Sequence, residues 1–232
     1  MTTKPTFNDE ILRTVSFRKI LPFFCIAALL SLIGFATILF TYGSNVGLAG
    51  FDIPLLGWMI AIRSESLTNA MIVLTNVLSP IGATCATIAL CLYWIIRKNE
   101  LWRPLLLAGG MTLIGIVTTA MKLGFERSRP AIDAMVPPIE TTFAFPSGHT
   151  TAIAGFTLLA TYLIVSRSYS KRRLSVFLGA SAFAILTVSF TRLYLGYHWL
   201  TDVTAALFLV VIILSLVALA DAQFRNYLVR KR

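Results

Sequence analysis

Two histidines occur in the 232 residues, and each stands beside groups that could put an imidazole to work. His198 precedes Asp202 by four positions, a spacing that sets both on one face of a helix. A carboxylate there accepts the Nδ1–H of the ring, fixes its tautomer and leaves Nε2 as a nucleophile. Asp202 opens an apolar stretch, where a lone carboxylate is costly. The plainer reading of the pair is a structural tie between two helices. His149 follows Phe145-Pro146-Ser147-Gly148. Ser147 is placed to cap the next helix, and Gly148 lets backbone N–H groups come close to an anion. A helix start attracts phosphate through its open N–H groups and dipole. His149 beside that phosphate could protonate a leaving oxygen. The plainer reading is a capped helix start with an interfacial histidine.

Three cations complete the set. Lys122 and Arg129 frame the stretch that ends in Pro130, and Arg192 precedes His198. Arginine gives a phosphate two parallel hydrogen bonds, and lysine gives a point charge. Taken alone, each is equally an interfacial side chain reaching for water. What favours chemistry is that all three stretches fall on one side of the same membrane plan. Together they supply the parts for phosphoryl transfer without a carboxylate cluster to hold Mg²⁺, so neither metal nor cofactor is expected. Glu126, Arg127, Asp133 and Glu140 read as solvated loop charges with no role. The loop 131–145 reads as a lid or wall over the site, and Tyr194, Tyr197 and Trp199 as interfacial aromatics.

The elements that must position these residues are membrane spans. The chain is 57% hydrophobic and only 13% charged, where soluble domains carry about a quarter charged residues. Apolar runs near the 20 residues needed to cross a bilayer occur at 20–42, within 67–96, and at 101–123, 148–165, 174–192 and 198–220. The first is too long for a signal-peptide core and reads as an anchor. The second is expected to break near Ser79-Pro80. Residues 51–63 are too short to span and read as an interfacial helix between spans one and two. The expected fold is all-α: a six-helix transmembrane bundle, one domain over residues 1–232. Cys25, Cys85 and Cys91 lie in spans and read as small packing residues.

Orientation follows from the basic residues. Both termini and the loops after spans two and four hold fifteen of the twenty Lys and Arg, including Lys4, Arg13, Lys98, Arg103, Arg167, Arg173, Arg225 and Arg232. The positive-inside tendency therefore places both termini in the cytoplasm and the histidine stretches on the outer side of a plasma or inner membrane. The net charge of +10 is explained by this distribution, and no nucleic-acid partner is expected.

The pattern of Lys122 with Arg129-Pro130, then Pro146-Ser147-Gly148-His149, then Thr191-Arg192 with His198 and Asp202, resembles the three-part signature of the type-2 phosphatidic acid phosphatase family. That family also holds lipid phosphate phosphatases and the soluble vanadium haloperoxidases. One position departs, Thr191 standing where serine is usual. The resemblance implies that His198 attacks phosphorus to form a phosphohistidine and that Asp202 orients it. It implies that His149 serves the leaving group and then the water, and that Lys122, Arg129, Ser147, Gly148 and Arg192 hold the phosphate. It implies a metal-independent phosphatase whose substrate is a lipid phosphate in the membrane, such as phosphatidic acid, phosphatidylglycerophosphate or a polyprenyl diphosphate. Two alternatives stay open: a phosphotransferase using the same phosphohistidine, and a non-catalytic transporter or lipid-binding protein using the cations as an anion site.

Overall fold

The computed structural model describes residues 17–44 and 46–230, with side chains from 21 to 227. Lys4, Arg13, Lys231 and Arg232, which entered the orientation count, lie outside the described residues. Eight α-helices run in order: α1 Phe17–Thr41, α2 Asp52–Ala61, α3 Glu65–Val77, α4 Pro80–Lys98, α5 Trp102–Phe125, α6 Gly148–Val165, α7 Lys171–Tyr194 and α8 Leu200–Arg230. No strand occurs among the described residues. Six of them, α1 and α4 to α8, are long and apolar enough to cross a membrane. The expectation of an all-α bundle with six spans holds, and α2 is the short helix expected between spans one and two.

Burial separates the helices into centre and rim. About half of the apolar window is buried in α6 (56%) and α8 (50%), against 17–28% in the other four, so α6 and α8 are the shared axis of the bundle. Their side chains meet Phe35, Leu107 and Ile114 in one core with Leu159, Leu163, Leu209 and Val210. Close approach depends on small residues, as is usual where lipid provides no hydrophobic push. A β-carbon at Gly155 would strike Ile114, and one at Gly34 would strike the Phe208 ring. Phe23, Leu29, Phe40, Ile88, Ile116 and Phe183 point outward, an apolar surface suited to acyl chains. Cys25 and Cys85 belong to that outer surface and are exposed, so they do not pack as expected.

Three boundaries differ from the sequence expectation. The stretch 67–96 is not one broken span. Ser79 accepts from the Gly82 N–H at 3.1 Å and Pro80 takes the first helical position, so α4 has its own start. The 13 residues of α3 are too short to cross and lie against α7. Helix α1 starts at Phe17 rather than at residue 20, which puts Pro22 at its sixth position, beyond the first turn, where membrane helices tolerate proline. The third difference is at α8. It begins at Leu200, so His198 sits in the preceding turn, and it runs past Ala220 to Arg230. The extension carries Asp221, which is fully buried and receives Trp102 Nε1 (2.8 Å), Tyr162 Oη (2.9 Å), Arg167 Nη2 (2.9 Å) and Arg225 Nη2 (3.1 Å).

Candidate active site

The ends of α5 and α7, the beginnings of α6 and α8, and the loop 131–145 meet at one end of the bundle. Helix α7 stops at Tyr194. Gly196 then turns at φ +75°, in the left-handed region, where a side chain would also collide with the Ala134 carbonyl. Arg63 holds this turn in place, donating from Nε to Tyr194 O (3.0 Å) and from Nη2 to Tyr194 O and Ala134 O (both 2.8 Å). The chain then delivers His198 just ahead of α8.

His198 and Asp202 meet, but not as two residues on one helical face. Asp202 is in the first turn of α8, and its Oδ2 accepts from the Trp199 N–H at 2.9 Å, the backward half of a capping box. The same oxygen stands 3.3 Å from His198 Nδ1. Nε2 of the ring lies 3.4 Å from Arg129 Nη1. Burial first, then the charges of Arg129, Arg192 and Lys122, hold the His198 imidazole well below its ordinary value. It is therefore neutral near pH 7, with a lone pair to offer.

Arg129 is in the loop, since α5 ends at Phe125 and Glu126 caps it at φ 45°. Its guanidinium donates to Tyr197 O (2.7 Å), Thr142 O (2.5 Å) and Thr142 Oγ1 (2.9 Å). Arg192 is 1% exposed, donates to Thr75 Oγ1 (3.0 Å), and stacks 4.4 Å over the Tyr197 ring. Its Nε has no partner among the described residues. Lys122 donates to the Phe143 carbonyl, and its stem passes 3.9 Å from where a β-carbon on Gly148 would stand. His149 is half-buried within electrostatic reach of Arg192, Glu140, Arg129 and Lys122. The sequence-selected residues are thus gathered at one place.

Ser147 corrects one expectation. It occupies the cap position of α6, yet its side chain makes no cap bond and instead accepts from Thr150 Oγ1 at 3.1 Å. The first-turn N–H groups therefore keep no intrahelical or side-chain acceptor, which suits an anion. The Thr191 hydroxyl is turned back to Val188 O (2.8 Å) and is fully buried, which makes it part of the helix rather than of the cation cluster.

Two groups expected to be solvated loop charges are built into the site. Arg127 reaches Asp202 Oδ1 (2.5 Å), Thr201 Oγ1 (2.7 Å) and Asp52 Oδ2 (2.8 Å). Asp52, on α2, also receives the Thr201 N–H (2.9 Å) and hydroxyl (2.6 Å). A chain of alternating charge runs from Asp52 through Arg127 and Asp202 to His198. Its signal in the sequence was a lone carboxylate in the apolar run 51–63, which has to find a partner. Glu140 takes Arg192 Nη2 at 2.6 Å and Arg129 Nη2 at 3.3 Å. Burial works to raise its carboxyl, but the hydrogen bond and charge of Arg192, with Arg129, prevail and hold it below the usual carboxylate range.

The loop 131–145 is a wall pinned along its length. Val136 N–H bonds Leu195 O (2.9 Å), Ala144 N–H bonds Arg127 O (2.9 Å), and Phe145 is buried among Phe35, Tyr42 and Phe125. Tyr194 and Tyr197 are buried parts of this frame and not interfacial aromatics. From Lys122 and Gly148 a groove of about 520 Å³ runs down between α4, α5 and α6, past Thr87, Met111, Gly115 and Thr151.

A family model described as the PAP2 superfamily matches residues 103–226. Phosphatidylglycerophosphatase B of Bacillus subtilis (strain 168) is 31% identical over 114 residues, 48% of this chain. That alignment spans 55% of the curated relative's length. A crystal structure of a transmembrane PAP2-type phosphatidylglycerolphosphate phosphatase from Bacillus subtilis superposes with a TM-score of 0.76 at 20% identity, covering 84% of this chain and 96% of that one. The structure of LpxE from Aquifex aeolicus gives 0.53 at 19% identity, over 73% and 95%.

Proposed function

The chain belongs to the PAP2 superfamily, and on that premise we propose that it is a single-domain membrane phosphatase that hydrolyses a lipid-linked phosphate monoester or diphosphate. The observation that carries the reading is His198 Nε2 turned toward Arg129, with Arg192, Lys122 and the open start of α6 around it. The Nε2 lone pair attacks phosphorus, a bond forms between nitrogen and phosphorus, and the bond to the leaving oxygen breaks. His149 gives that oxygen a proton. It then takes a proton from the water that attacks the phosphohistidine, releasing inorganic phosphate and restoring both rings. Lys122, Arg129 and Arg192 carry the charge of the non-bridging oxygens, the task that bound Mg²⁺ performs in many phosphoryl-transfer sites. Asp202 keeps the ring in the attacking tautomer.

The groove between α4, α5 and α6 supports a lipid as the carrier of the phosphate. It is largely apolar and open to the side, so a chain can lie in it while the headgroup stands at Lys122 and Gly148. The similarity to phosphatidylglycerophosphatases makes phosphatidylglycerophosphate the first substrate to try. The distribution of Lys and Arg supports cytoplasmic termini and a site on the outer face.

Phosphate release by purified protein tests the proposal, with chelator present and a panel of phosphatidylglycerophosphate, phosphatidic acid and a polyprenyl diphosphate. Turnover of at least one lipid, unaffected by chelator and lost in His198→Ala, is expected. Turnover at the wild-type rate in His198→Ala would discard the mechanism. Lipid binding without phosphate release in the wild type would leave an anion-binding protein.

A further inference from the structure

At the end of the bundle away from the histidines, a second cavity of about 600 Å³ opens between α4, α5, α6 and the start of α7. Its walls include Tyr93, Trp94, Lys98, Arg103, Arg167 and Arg173. Trp94 is 2% exposed, and the Arg103 guanidinium lies 5.0 Å over its ring. Arg103 takes the one carboxylate in the lining, Glu100, and Arg167 is held by Asp221 beneath. The charge of the other two cations is not matched. Arg173 donates only to the Ser168 carbonyl at 2.9 Å, and Lys98 has no partner among the described residues.

A basic helix end is ordinary at the cytoplasmic face of a membrane protein, and it follows from orientation alone. Orientation does not explain why four cations line one concavity of ligand size with a buried indole at its base. A cation layer that served only topology would fan out into water. Here Arg103 is buried and Arg167 half-buried, both fixed by acids, while Lys98 and Arg173 stand at the same cavity with charge to spare. The chemistry that fits is a phosphodiester: one negative charge for Lys98 and Arg173, and glycerol or acyl carbon against Trp94 and Leu90. Basic pockets between membrane helices on the cytoplasmic side take anionic headgroups in this way.

We propose that this cavity binds the phosphodiester headgroup of an anionic phospholipid from the leaflet at that end, as a site separate from the one that cleaves phosphate. It does not rest on the catalytic reading, since none of its residues touches the histidine site.

Native mass spectrometry of the full-length protein in detergent tests the idea, with dioleoylphosphatidylglycerol, dioleoylphosphatidylcholine and inorganic phosphate as separate probes. The wild type is expected to retain one phosphatidylglycerol at least tenfold more tightly than phosphatidylcholine. Arg129→Gln, at the opposite end, should retain it equally. Lys98→Gln with Arg173→Gln should lose the preference, and Lys98→Gln alone should lose part of it. The single change touches no side-chain hydrogen bond among the described residues, so it tests the site even where the double variant folds poorly. Equal retention of phosphatidylcholine, or an unchanged preference in both variants, would overturn the proposal. Inorganic phosphate bound as tightly as the lipid would also overturn it, leaving a site for free anions.

Discussion

Helix α8 buries one carboxylate near each end, Asp202 and Asp221, about 28 Å apart at 1.5 Å per residue. Both are fully buried and both are held by arginine, Asp202 by Arg127 and Asp221 by Arg167 and Arg225. Around Asp221 the remaining donors are an indole and a tyrosine hydroxyl, and the hydroxyl also reaches Ala218 O and meets Arg225 Nη2 (both 3.3 Å) within the same cluster. Around Asp202 one neighbour is an imidazole whose far nitrogen looks at Arg129. The difference teaches that burying an acid against arginine is a general means of closing a helix bundle. What separates a clasp from a reaction centre is whether a partner of the acid has a second, reactive face.

The comparison breaks most sharply by substitution at each end. His198→Ala should lower turnover at least about 10⁴-fold while leaving the melting temperature in detergent close to that of the wild type. Asp221→Ala should do the reverse. Stranding Arg167 and Arg225 costs about 3–5 kcal/mol of stability, whereas kcat of the protein that remains folded is unchanged. Large loss of turnover in folded Asp221→Ala would erase the distinction between the ends.

A finer test concerns Arg127, which bonds Asp202 and under the proposed mechanism acts through it rather than on the phosphate. Arg127→Gln should lower kcat about 10²-fold by misplacing His198, with KM nearly constant, and Arg127→Lys should recover part of it. A rise in KM with kcat preserved would place Arg127 on the substrate instead.

Acid sharpens the comparison further, because only the Asp202 end carries an imidazole whose ordinary value falls in the working range. The folded-state value of His198 lies well below 6.5, so the ring is still unprotonated there and activity should persist through pH 6.5. Loss should begin only as pH falls through the lowered value. The profile of kcat/KM reads this once the second ionisation of a phosphomonoester, near 6, is allowed for. The unfolded chain binds this proton more readily than the folded one, so stability too is undiminished above about pH 6.5 and declines below it. An acid limb at 6.5 that follows the enzyme rather than the substrate would contradict the burial of His198.

The smallest expected effect belongs to Glu140, whose carboxylate occupies Arg129 and Arg192 and so competes with an anion for them. Glu140→Gln should tighten inhibition by inorganic phosphate up to about fivefold, the worth of a partly exposed ion pair. Weaker inhibition would mean that Glu140 instead holds the arginines ready.

The spans were legible because a run of about 20 apolar residues carries its meaning locally, wherever its neighbours lie. The site was legible in its parts for a different reason: Lys122, His149, Arg192, His198 and Asp202 are polar residues where the pattern demands apolar ones, and Arg129 follows closely on such a run. The turn holding His198 was partly legible too. Gly196 after the end of α7 is a helix-stop signal, and reading it would have put the histidine outside the helix. Arg127 was beyond reach. Its partners Asp52 and Asp202 each lie 75 positions away in opposite directions, and no local pattern links a loop cation to acids so distant. Ser79 and Pro80 promised a break in one span, but only packing of α3 on α7 decides that the two pieces take separate paths.

The Ser147 amide bonds the Asp202 carbonyl at 3.2 Å, joining the cap of one to the first turn of the other of the two most buried helices. The backbone beside His149 is therefore tied to the backbone beside His198, a yoke between the two imidazoles. Tuning for a bulkier or smaller headgroup has to come from the parts that the yoke does not carry, the 131–145 wall and the groove beside α4. Selectivity should accordingly be the property most easily re-engineered, and the spacing of the two rings the least.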